Sequence, residues 1–386
     1  MNNLDKEMKK HKFIVFSQDH YNPLNVIRSL GEKGLEPISI LYTPNPVLIN
    51  HCRYVSRLHQ VESLEEGFRL LINLYGGEQF KPFVFCSDDT TQAFLDSHFE
   101  DIRDKFFLYN ATKSNRIVWL QDKHNILSLA ERVGLDVPKS EVVETGILPQ
   151  NLNYPIITKV LASTMGRWKG DVYICQNEEE LKKAYIKIKS PQLILQEYIY
   201  KKGEFCMEGF SINDGKDIFI PYIIDYHRYY HNSYGHYMNI SPFIDEELNN
   251  KIKALFRETR YNGIFEVEFM KGPDQKSYFL EINFRASTWT YALTVGGCNL
   301  PYFWAKSTLL GRIPYEEMIL KEMSFNAMVE PDDFLTNVLV LKNVGPLKWV
   351  KDLRGCECLY YYNKKDKKPI FYFLLRLIKS KIKRIL

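Results

Sequence analysis

The feature that most constrains this 386-residue sequence is a pair of apolar runs, 264–270 and 278–284, separated by a short turn segment. In an antiparallel hairpin, facing residues keep a constant sum of residue numbers, and alternate residues share a face. We predict the register that places Glu268 opposite Glu281, because it makes one face wholly apolar and gathers the polar residues on the other. The remaining predicted pairs are Glu266 with Asn283 on the polar face, and Phe265 with Phe284, Val267 with Ile282 and Phe269 with Leu280 on the apolar face.

The polar face of this hairpin needs a neutralising charge. Directly opposed side chains lie about 5 Å apart, a distance at which two carboxylates repel each other. Carboxylate and amide oxygens suit Mg²⁺ with phosphate completing its coordination, whereas the lack of His and Cys on this face disfavours zinc. Two interpretations stay open at this stage: a magnesium site at Glu268, Glu281 and Asn283, or a solvated outer face with Arg285 as the counter-ion.

Composition and charge narrow the class of protein. The chain is 45% hydrophobic and 25% charged, as globular proteins are, and its length suits two or three domains. Its 7 cysteines show no paired zinc spacing, so we expect no disulfide scaffold, no zinc site and a reducing, cytoplasmic setting. Residues 347–386 hold 12 Lys and Arg against 3 Asp and Glu, so the rest of the chain is net negative. This distribution argues against nucleic-acid binding by the body of the protein.

The first hundred residues alternate apolar runs with helix-period segments, which predicts a parallel sheet with helical crossovers. We interpret this region as a small Rossmann-like domain. No GxGxxG or GxxxxGK[ST] motif follows any of its predicted strands, so the pattern supports neither dinucleotide nor P-loop nucleotide binding. The polar loop 17–23 is a candidate ligand-binding loop, since ligands bind beyond the carboxyl ends of the strands in such sheets. An ordinary polar loop is the alternative.

Five segments of the chain, taken in sequence order, resemble the nucleotide-binding and metal-binding segments of the ATP-grasp superfamily. They are Asp122-Lys123 at the start of a helix, the strand Tyr154–Lys159, then Gln196–Ile199, Gly203-Glu204, and Tyr278–Arg285 with Glu268 upstream. Each match is weak alone, but five in order are specific. With the segment Thr294–Pro301, the sequence looks most like carboxylate–amine ligases related to D-aspartate ligase and the carbamoyl phosphate synthase large chain. Phe284 departs from the smaller residue usual before the arginine.

The resemblance implies a set of residues that bind ATP and Mg²⁺. Two lysines from separate segments would supply positive charge to the triphosphate, and a lysine on an apolar strand needs an anion. The implied nucleotide-binding residues are Lys123 and Lys159 at the phosphates, Ser163, Thr164 and Gly166 in a phosphate-covering loop, Glu197, Tyr198 and Ile199 at adenine, and Glu204 at ribose. The implied metal ligands are Glu268, Glu281 and Asn283, and the implied catalytic residues are Arg285, Arg228 and His236.

The same resemblance implies a fold of mixed α/β and α+β class. Its expected parts are an N-terminal Rossmann-like pre-ATP-grasp domain (1–112), the small lobe (113–195) and large, metal-binding lobe (196–312) of a two-lobed ATP-grasp fold, and a short basic C-terminal extension (313–386). It implies ligation, in which a carboxylate attacks the γ-phosphorus of ATP and an amine displaces phosphate from the acyl phosphate. The expected substrates are a small-molecule carboxylate and amine, amino acids among them. A non-catalytic nucleotide-binding module and a phosphotransferase are the alternatives.

The C-terminal segment 369–386 has the pattern of a cationic amphipathic helix. Its apolar residues at helical spacing are Phe371, Leu374, Leu375, Ile378, Ile382 and Ile385, and its basic stripe is Arg376, Lys379 and Lys383. Such a helix can lie on an anionic membrane, which would make a cytoplasmic protein peripheral to the inner face of the membrane. The alternative is that the apolar stripe packs against the protein body or against a second subunit in a homodimer.

Overall fold

The computed structural model describes residues 3–161, 171–228 and 235–385. In these ranges the strands form three sheets, of five, four and seven strands. Between them lie fourteen α-helices, two short 3₁₀ segments at Ile49–His51 and Tyr315–Glu317, and a π-helical segment at Phe334–Val340.

The first sheet is parallel, as the alternating pattern predicts. Its elements in chain order are α1 (Asn3–Met8), β1 (Phe13–Ser17), α2 (Tyr21–Glu32), β2 (Pro37–Leu41), β3 (Arg57–Gln60), α3 (Leu64–Tyr75), β4 (Phe83–Phe85), α4 (Asp89–Ser97), α5 (Phe99–Ile102) and β5 (Phe107–Leu108). The strand order is β3-β2-β1-β4-β5. Strands β1, β2 and β4 are buried along their whole length because helices cover both faces of the sheet. The strand order reverses beside β1, and ligands bind at such a switch point in open parallel sheets.

The second sheet is antiparallel and has a small core of its own. It follows α6 (Arg116–Gln121) and α7 (Lys123–Arg132), and consists of β6 (Ser140–Glu144), β7 (Ile156–Lys159), β8 (Ile174–Cys175) and β9 (Gln192–Glu197), with α8 (Glu178–Tyr185) before the last strand. The strand order is β6-β9-β7-β8. Its core is a cluster separate from that of the rest of the described chain, formed by Ile156, Cys175, Leu181, Ala184, Ile188, Leu193 and Leu195.

The third sheet carries the predicted hairpin at one edge. Its elements are β10 (Gly203–Ile212), β11 (Asp217–Tyr226), β12 (Tyr237–Pro242), α9 (Glu246–Thr259), β13 (Gly263–Lys271), β14 (Ser277–Asn283), α10 (Thr290–Val295), α11 (Leu300–Leu310), β15 (Phe325–Met328), α12 (Glu330–Asp333), α13 (Pro346–Arg354) and β16 (Cys356–Leu359). The strand order is β14-β13-β10-β11-β12-β15-β16. The core of this sheet is continuous with that of the parallel sheet, so the two pack as one hydrophobic body.

The register of the β13–β14 hairpin agrees with the prediction at its polar end and differs at its other end. Glu268 faces Glu281, Glu266 faces Asn283, and Val267 faces Ile282, as predicted. Phe269 faces Phe279 instead of Leu280, because an irregularity after Glu268 adds one residue to β14. The extra residue places the fully buried Phe279 in the core and leaves Leu280 half-buried. The predicted Phe265–Phe284 pair falls beyond the end of β14, although both rings are buried.

The C-terminal helix α14 (Lys368–Ile385) packs one face against the parallel-sheet region. The Tyr372 ring stacks on His51 with centroids 3.6 Å apart, and Phe373 lies 4.7 Å from the Tyr361 ring. A second apolar face, formed by Phe371, Leu374 and Ile378, is exposed. Within the described chain, no helix combines the length and the apolar character that crossing a bilayer requires.

Candidate active site

The polar face of the β13–β14 hairpin gathers carboxylates around one carboxamide. The Asn283 Nδ2 donates to Glu266 Oε2 at 2.9 Å and to Glu268 Oε1 at 2.8 Å. Burial, together with the nearby Glu281 and Glu266 carboxylates, raises the pKa of Glu268 well above its ordinary value. No lysine or arginine in the described ranges forms an ion pair with Glu266 or Glu268. The hairpin therefore gathers more acidic groups, one buried and two half-buried, than the cations of the described residues pair with.

Lys123 brings the first cation to this face from the start of α7. Asp122 caps this helix, since its Oδ1 accepts the backbone N–H groups of His124 at 2.9 Å and Asn125 at 3.2 Å. The Lys123 ammonium bonds the Glu281 carboxylate. Burial lowers the pKa of Lys123, but Glu281 outweighs burial and raises it above the ordinary value, and Lys123 in turn lowers the pKa of Glu281. Both members of the pair are therefore charged at neutral pH.

Lys159 brings a second cation to the same face from the antiparallel sheet. It lies at the end of β7, and its Nζ donates to Gln196 Oε1 on β9 at 2.7 Å. Burial and the nearby Lys123 lower the pKa of Lys159 to about 8, and Glu281 only partly opposes this shift. Within the described ranges, no carboxylate pairs with Lys159. A half-buried ammonium in this state is suited to an anion that is not part of the protein.

Arg285 connects the hairpin to the parallel sheet through a residue that the sequence analysis missed. Its Nε donates to Asp89 Oδ1 at 2.8 Å, and its Nη2 donates to Asn283 Oδ1 at 3.1 Å. Burial opposes the charge on Arg285, but Asp89 and Glu266 outweigh burial and raise its pKa. Asp89 begins α4 just beyond β4, where open parallel sheets bind ligands. Its position directly after a predicted strand of the parallel sheet could have identified Asp89 as a candidate site residue from the sequence.

The predicted ligand-binding loop after β1 divides into a structural part and a part close to the site. Asp19 accepts the backbone N–H groups of residues 47, 48 and 49 at 2.5–3.0 Å, so its carboxylate is used to hold that loop. His20 is exposed and lies within electrostatic reach of Arg285, and its Nδ1 accepts the backbone N–H of Asn22 at 3.3 Å. Of these two residues, only His20 is left for contact with a ligand.

The predicted adenine and ribose residues lie at the junction of the second and third sheets. Glu197 ends β9, and the Tyr198 backbone N–H donates to Pro155 O at 2.9 Å. That amide is therefore not free for the adenine ring, and the Tyr198 carbonyl and the Ile199 backbone are left for the predicted contacts. Glu204 begins β10, accepts from Lys201 Nζ at 2.9 Å, and adds to the negative field at Glu268.

The remaining predicted residues are Arg228, His236 and the three residues of the phosphate-covering loop. Arg228 bonds Asp333 and Asp352, and its guanidinium lies 4.8 Å from the Tyr237 ring centroid. His236 lies beside Asp332, and burial lowers its pKa. Ser163, Thr164 and Gly166 lie outside the described residues.

Several solved structures resemble this arrangement. An L-amino acid ligase from Bacillus licheniformis superposes with a TM-score of 0.60 at 15% identity, over 78% of this chain and 74% of its own. An N5-carboxyaminoimidazole synthetase from Staphylococcus aureus, complexed with ADP, gives 0.65 at 14% identity over 84% of each chain. A biotin carboxylase–β,γ-ATP complex from Campylobacter jejuni gives 0.64 at 16% identity, over 83% of this chain and 76% of its own. The chain has the ATP-grasp fold. No family model and no curated protein sequence matches it.

The donor set on this ATP-grasp hairpin fits Mg²⁺ by its chemistry. Glu268, Glu281 and Asn283 offer carboxylate and amide oxygens, which hard divalent cations prefer, and the raised pKa of Glu268 indicates a carboxylate that a cation would stabilise. In the described chain, no point is surrounded by three or more His, Cys, Asp or Glu side chains placed to hold a metal. The set is therefore a partial one, of the kind that a phosphate ligand completes.

Proposed function

We propose that this protein is an ATP-dependent carboxylate–amine ligase that forms an amide or peptide bond. The observation that carries the proposal is the meeting of Lys123 and Lys159, from two separate elements, at the Glu281 end of an acidic hairpin face. This arrangement suits a bound triphosphate with Mg²⁺, because the two lysines offer positive charge to the phosphate oxygens and the carboxylates offer ligands to the metal. The fold shared with ligases and carboxylases supports the same class of chemistry.

Each group in the proposed site has a role that follows from its charge and position. Lys123 and Lys159 bind phosphate oxygens, and Arg285 orients the acid and offsets charge on the transferred phosphoryl group. Glu268, Glu281 and Asn283 would hold Mg²⁺, which supplies positive charge to the triphosphate. The acid's carboxylate attacks the γ-phosphorus, ADP leaves, and an amine then displaces phosphate from the acyl phosphate. No protein nucleophile is needed, since catalysis rests on positioning.

The rest of the nucleotide site is proposed from the resemblance. Glu197 and the backbone of Tyr198 and Ile199 bind adenine, with the Tyr198 carbonyl as the available group because its N–H is used within the fold. Glu204 binds ribose, and Ser163, Thr164 and Gly166 cover the phosphates. We leave Arg228 out of the catalytic set, because its guanidinium is already committed to two aspartates.

We further propose that the chain is organised as a Rossmann-like pre-ATP-grasp domain (1–112), a small lobe (113–195), a large lobe and a basic C-terminal extension. The three sheets support this division. Strands β15 and β16 continue the sheet of the large lobe, so we extend that lobe from residue 312 to residue 359. Mg-ATP then binds between the two lobes.

Phosphate release from Mg-ATP, measured with mixtures of carboxylic acids and amines that include amino acids, tests the ligase proposal. We expect release to require both components, and Lys159→Met to reduce kcat/KM by roughly 100-fold. Lys182→Met is the matched control, since that lysine is exposed and pairs with Glu178 within its own helix. Tight Mg-ATP binding without turnover in any mixture would favour a non-catalytic nucleotide-binding module instead. Phosphate transfer that needs no amine would favour a phosphotransferase.

We also propose that the exposed face of α14 binds an anionic lipid surface. Phe371, Leu374 and Ile378 are 58%, 45% and 56% exposed although the opposite face of the helix is packed. Arg376 and Lys379 adjoin this face, so its charge complements anionic headgroups.

Sedimentation with vesicles tests the lipid proposal. We expect binding to phosphatidylglycerol vesicles that weakens with salt and is lost when Phe371, Leu374 and Ile378 are all changed to serine. Leu347→Ser, at a residue 88% exposed on α13, is the control. Equal binding to phosphatidylcholine vesicles, or full binding by the triple variant, would contradict the proposal and favour a protein partner for this face.

A further inference from the structure

A buried glutamate lies beside the polar face of the hairpin, on the neighbouring strand β10. Glu208 faces Glu266 of β13, and Glu266 in turn faces Asn283 of β14. Directly opposed residues share a side of the sheet, so Glu208 continues the polar face by one strand. Its side chain is completely buried, and no lysine or arginine of the described ranges forms an ion pair with it.

The hydrogen bonds that Glu208 accepts come from the segment that directly follows Arg285. Its Oε1 accepts the backbone N–H of Ser287 at 2.9 Å and the Thr290 hydroxyl at 2.5 Å. Ser287 is two residues beyond Arg285, and Thr290 begins α10. Ser287 and Thr290 are themselves buried, so loss of Glu208 would leave the Ser287 amide without an acceptor. One side chain therefore fixes both the turn after β14 and the start of the next helix.

The surroundings of Glu208 are unfavourable for a carboxyl group. Burial, together with the neighbouring Glu266, raises the pKa of Glu208 to about 8, so its side chain is mainly neutral at pH 7. Its Oε2 is buried without a hydrogen-bond partner in the described chain. Burying a polar atom in this state costs free energy. Stability alone therefore does not favour a glutamate at this position.

Two routes join Glu208 to the Arg285 guanidinium. Along the backbone, the Ser287 amide that Glu208 holds is two residues from Arg285. Across the sheet, Glu266 Oε2 accepts from Asn283 Nδ2 at 2.9 Å, and Asn283 Oδ1 accepts from Arg285 Nη2 at 3.1 Å. The place of the guanidinium thus depends on the turn that Glu208 fixes and on the row of polar groups that begins at Glu208.

We propose that Glu208 is a positioning residue that holds Arg285 in place for the reaction. It acts through the backbone at Ser287, which fixes the point from which the Arg285 side chain extends toward Asp89 and Asn283. A small displacement of a group that orients the substrate lowers the rate strongly. This inference rests on the proposed ligase function and adds to it a residue that the resemblance does not include.

The variants Glu208→Leu and Glu208→Gln test the inference. Gln keeps the acceptor oxygen and resembles the neutral carboxyl group, whereas Leu is similar in size and has no acceptor. In the acid and amine mixture with which the wild-type protein releases phosphate from Mg-ATP, we expect Glu208→Leu to reduce kcat roughly 10- to 100-fold. KM for ATP should be unchanged, because Lys123 and Lys159 lie on other elements. Glu208→Gln should have nearly the kcat of wild type.

Two further variants separate positioning from stability. Asp96 is also a buried carboxyl group that accepts a backbone N–H, from Val118 at 3.0 Å, and its Oδ1 has no partner in the described chain. Asp96→Leu is therefore the matched control, and we expect it to lower Tm as Glu208→Leu does but to leave kcat unchanged. Thr290→Val removes one of the two bonds to Glu208. It should lower kcat by a smaller factor, and it serves if Glu208→Leu does not fold.

Hydrogen exchange of peptides covering residues 284–291 gives a readout that needs no activity. We expect faster exchange there in Glu208→Leu than in wild type, and no change in Glu208→Gln or Asp96→Leu. Unchanged exchange in Glu208→Leu would overturn the inference, as would wild-type kcat in Glu208→Leu and Thr290→Val, or equal losses of kcat in the Leu and Gln variants. Absence of phosphate release by the wild-type protein in every mixture would instead overturn the ligase proposal.

Discussion

At the scale of single residues, the site stands out because its charges are costly without a ligand. Lys159 is half-buried against an amide, Glu268 is half-buried among other carboxylates, and neither has an opposite charge within ion-pair distance in the described chain. Proteins rarely keep such groups for stability, since burying an unpaired charge is unfavourable. Their presence together is what a site for a charged ligand requires.

Lys159 gives a pH-dependent prediction. With a pKa of about 8, it is about half protonated at pH 8, and a phosphate beside it would raise that pKa. We expect Lys159 to take up about half a proton when ADP binds at pH 8. At pH 6 Lys159 is already charged, so it should take up no proton there. Calorimetric titration in Tris and in HEPES measures the uptake. Lys159→Arg should bind ADP without it, because arginine stays charged; unchanged uptake would contradict the assignment.

Glu268 gives a prediction that separates stability from binding. Glu268→Gln removes a half-buried, repelled charge, so we expect the free energy of unfolding of the ligand-free protein to rise by about 0.5–2 kcal/mol. ADP with Mg²⁺ should raise the Tm of the wild-type protein more than ADP alone does. In Glu268→Gln this difference should disappear. Urea unfolding and thermal scans measure the two effects. A variant that is less stable and still responds to Mg²⁺ would contradict the role given to Glu268.

At the scale of elements, the position of Lys123 depends on how α7 begins. Asp122→Ala removes the cap of that helix, which costs about 1 kcal/mol. Because Lys123 is the next residue, we expect KM for ATP to rise several-fold with a smaller change in kcat. Steady-state kinetics with ATP as the varied substrate checks this. Asn177→Ala, which removes the cap of α8, is the matched control and should leave KM for ATP unchanged.

The segment after β16 is held to α2 by a buried ion pair. Arg28 and Asp366 are both fully buried, their side chains meet at 3.0 Å, and Arg28 also donates to the Tyr360 and Tyr361 carbonyls. Asp366→Ala leaves the guanidinium buried without a counter-charge, so we expect a loss of about 3–5 kcal/mol. The exposed pair of Arg312 with Glu316 is the comparison, and Glu316→Ala should cost much less, because solvent screens that pair. Urea unfolding would contradict this account if the two losses were equal.

At the scale of the whole molecule, the second sheet is a small unit with a core separate from the large one. Units with small cores open locally at lower free energy than the rest of a protein. We expect amides of β6, β7 and β9 to exchange with deuterium faster than those of β1 and β13, and MgADP to slow this exchange because Lys159 lies on β7. Hydrogen exchange by mass spectrometry measures both. Uniform protection, unaffected by MgADP, would contradict this prediction.

Much of the site was predictable because its residues lie in locally patterned segments. The alternation of apolar and acidic residues determined that Glu268 faces Glu281, and the resemblance indicated Lys123 and Lys159. The bulge at Leu280 was not predictable, since Phe279 and Leu280 are adjacent and either can fill the core. The missed contact of Asp89 with Arg285 joins residues that are 196 positions apart, and no local pattern encodes it.

The sequence by itself determined which faces of the strands are polar, because alternation along a strand depends only on neighbouring residues. It also determined the parallel sheet, because strands and helices alternate along the first hundred residues. Only the tertiary structure decided which polar groups remain available. Arg228 and Asp19 carry suitable groups, yet distant partners use them, whereas Lys159 contacts an amide and pairs with no carboxylate of the described residues. Hydrogen-bonding capacity depends on every neighbour in space, and those neighbours are set by how the sheets pack together.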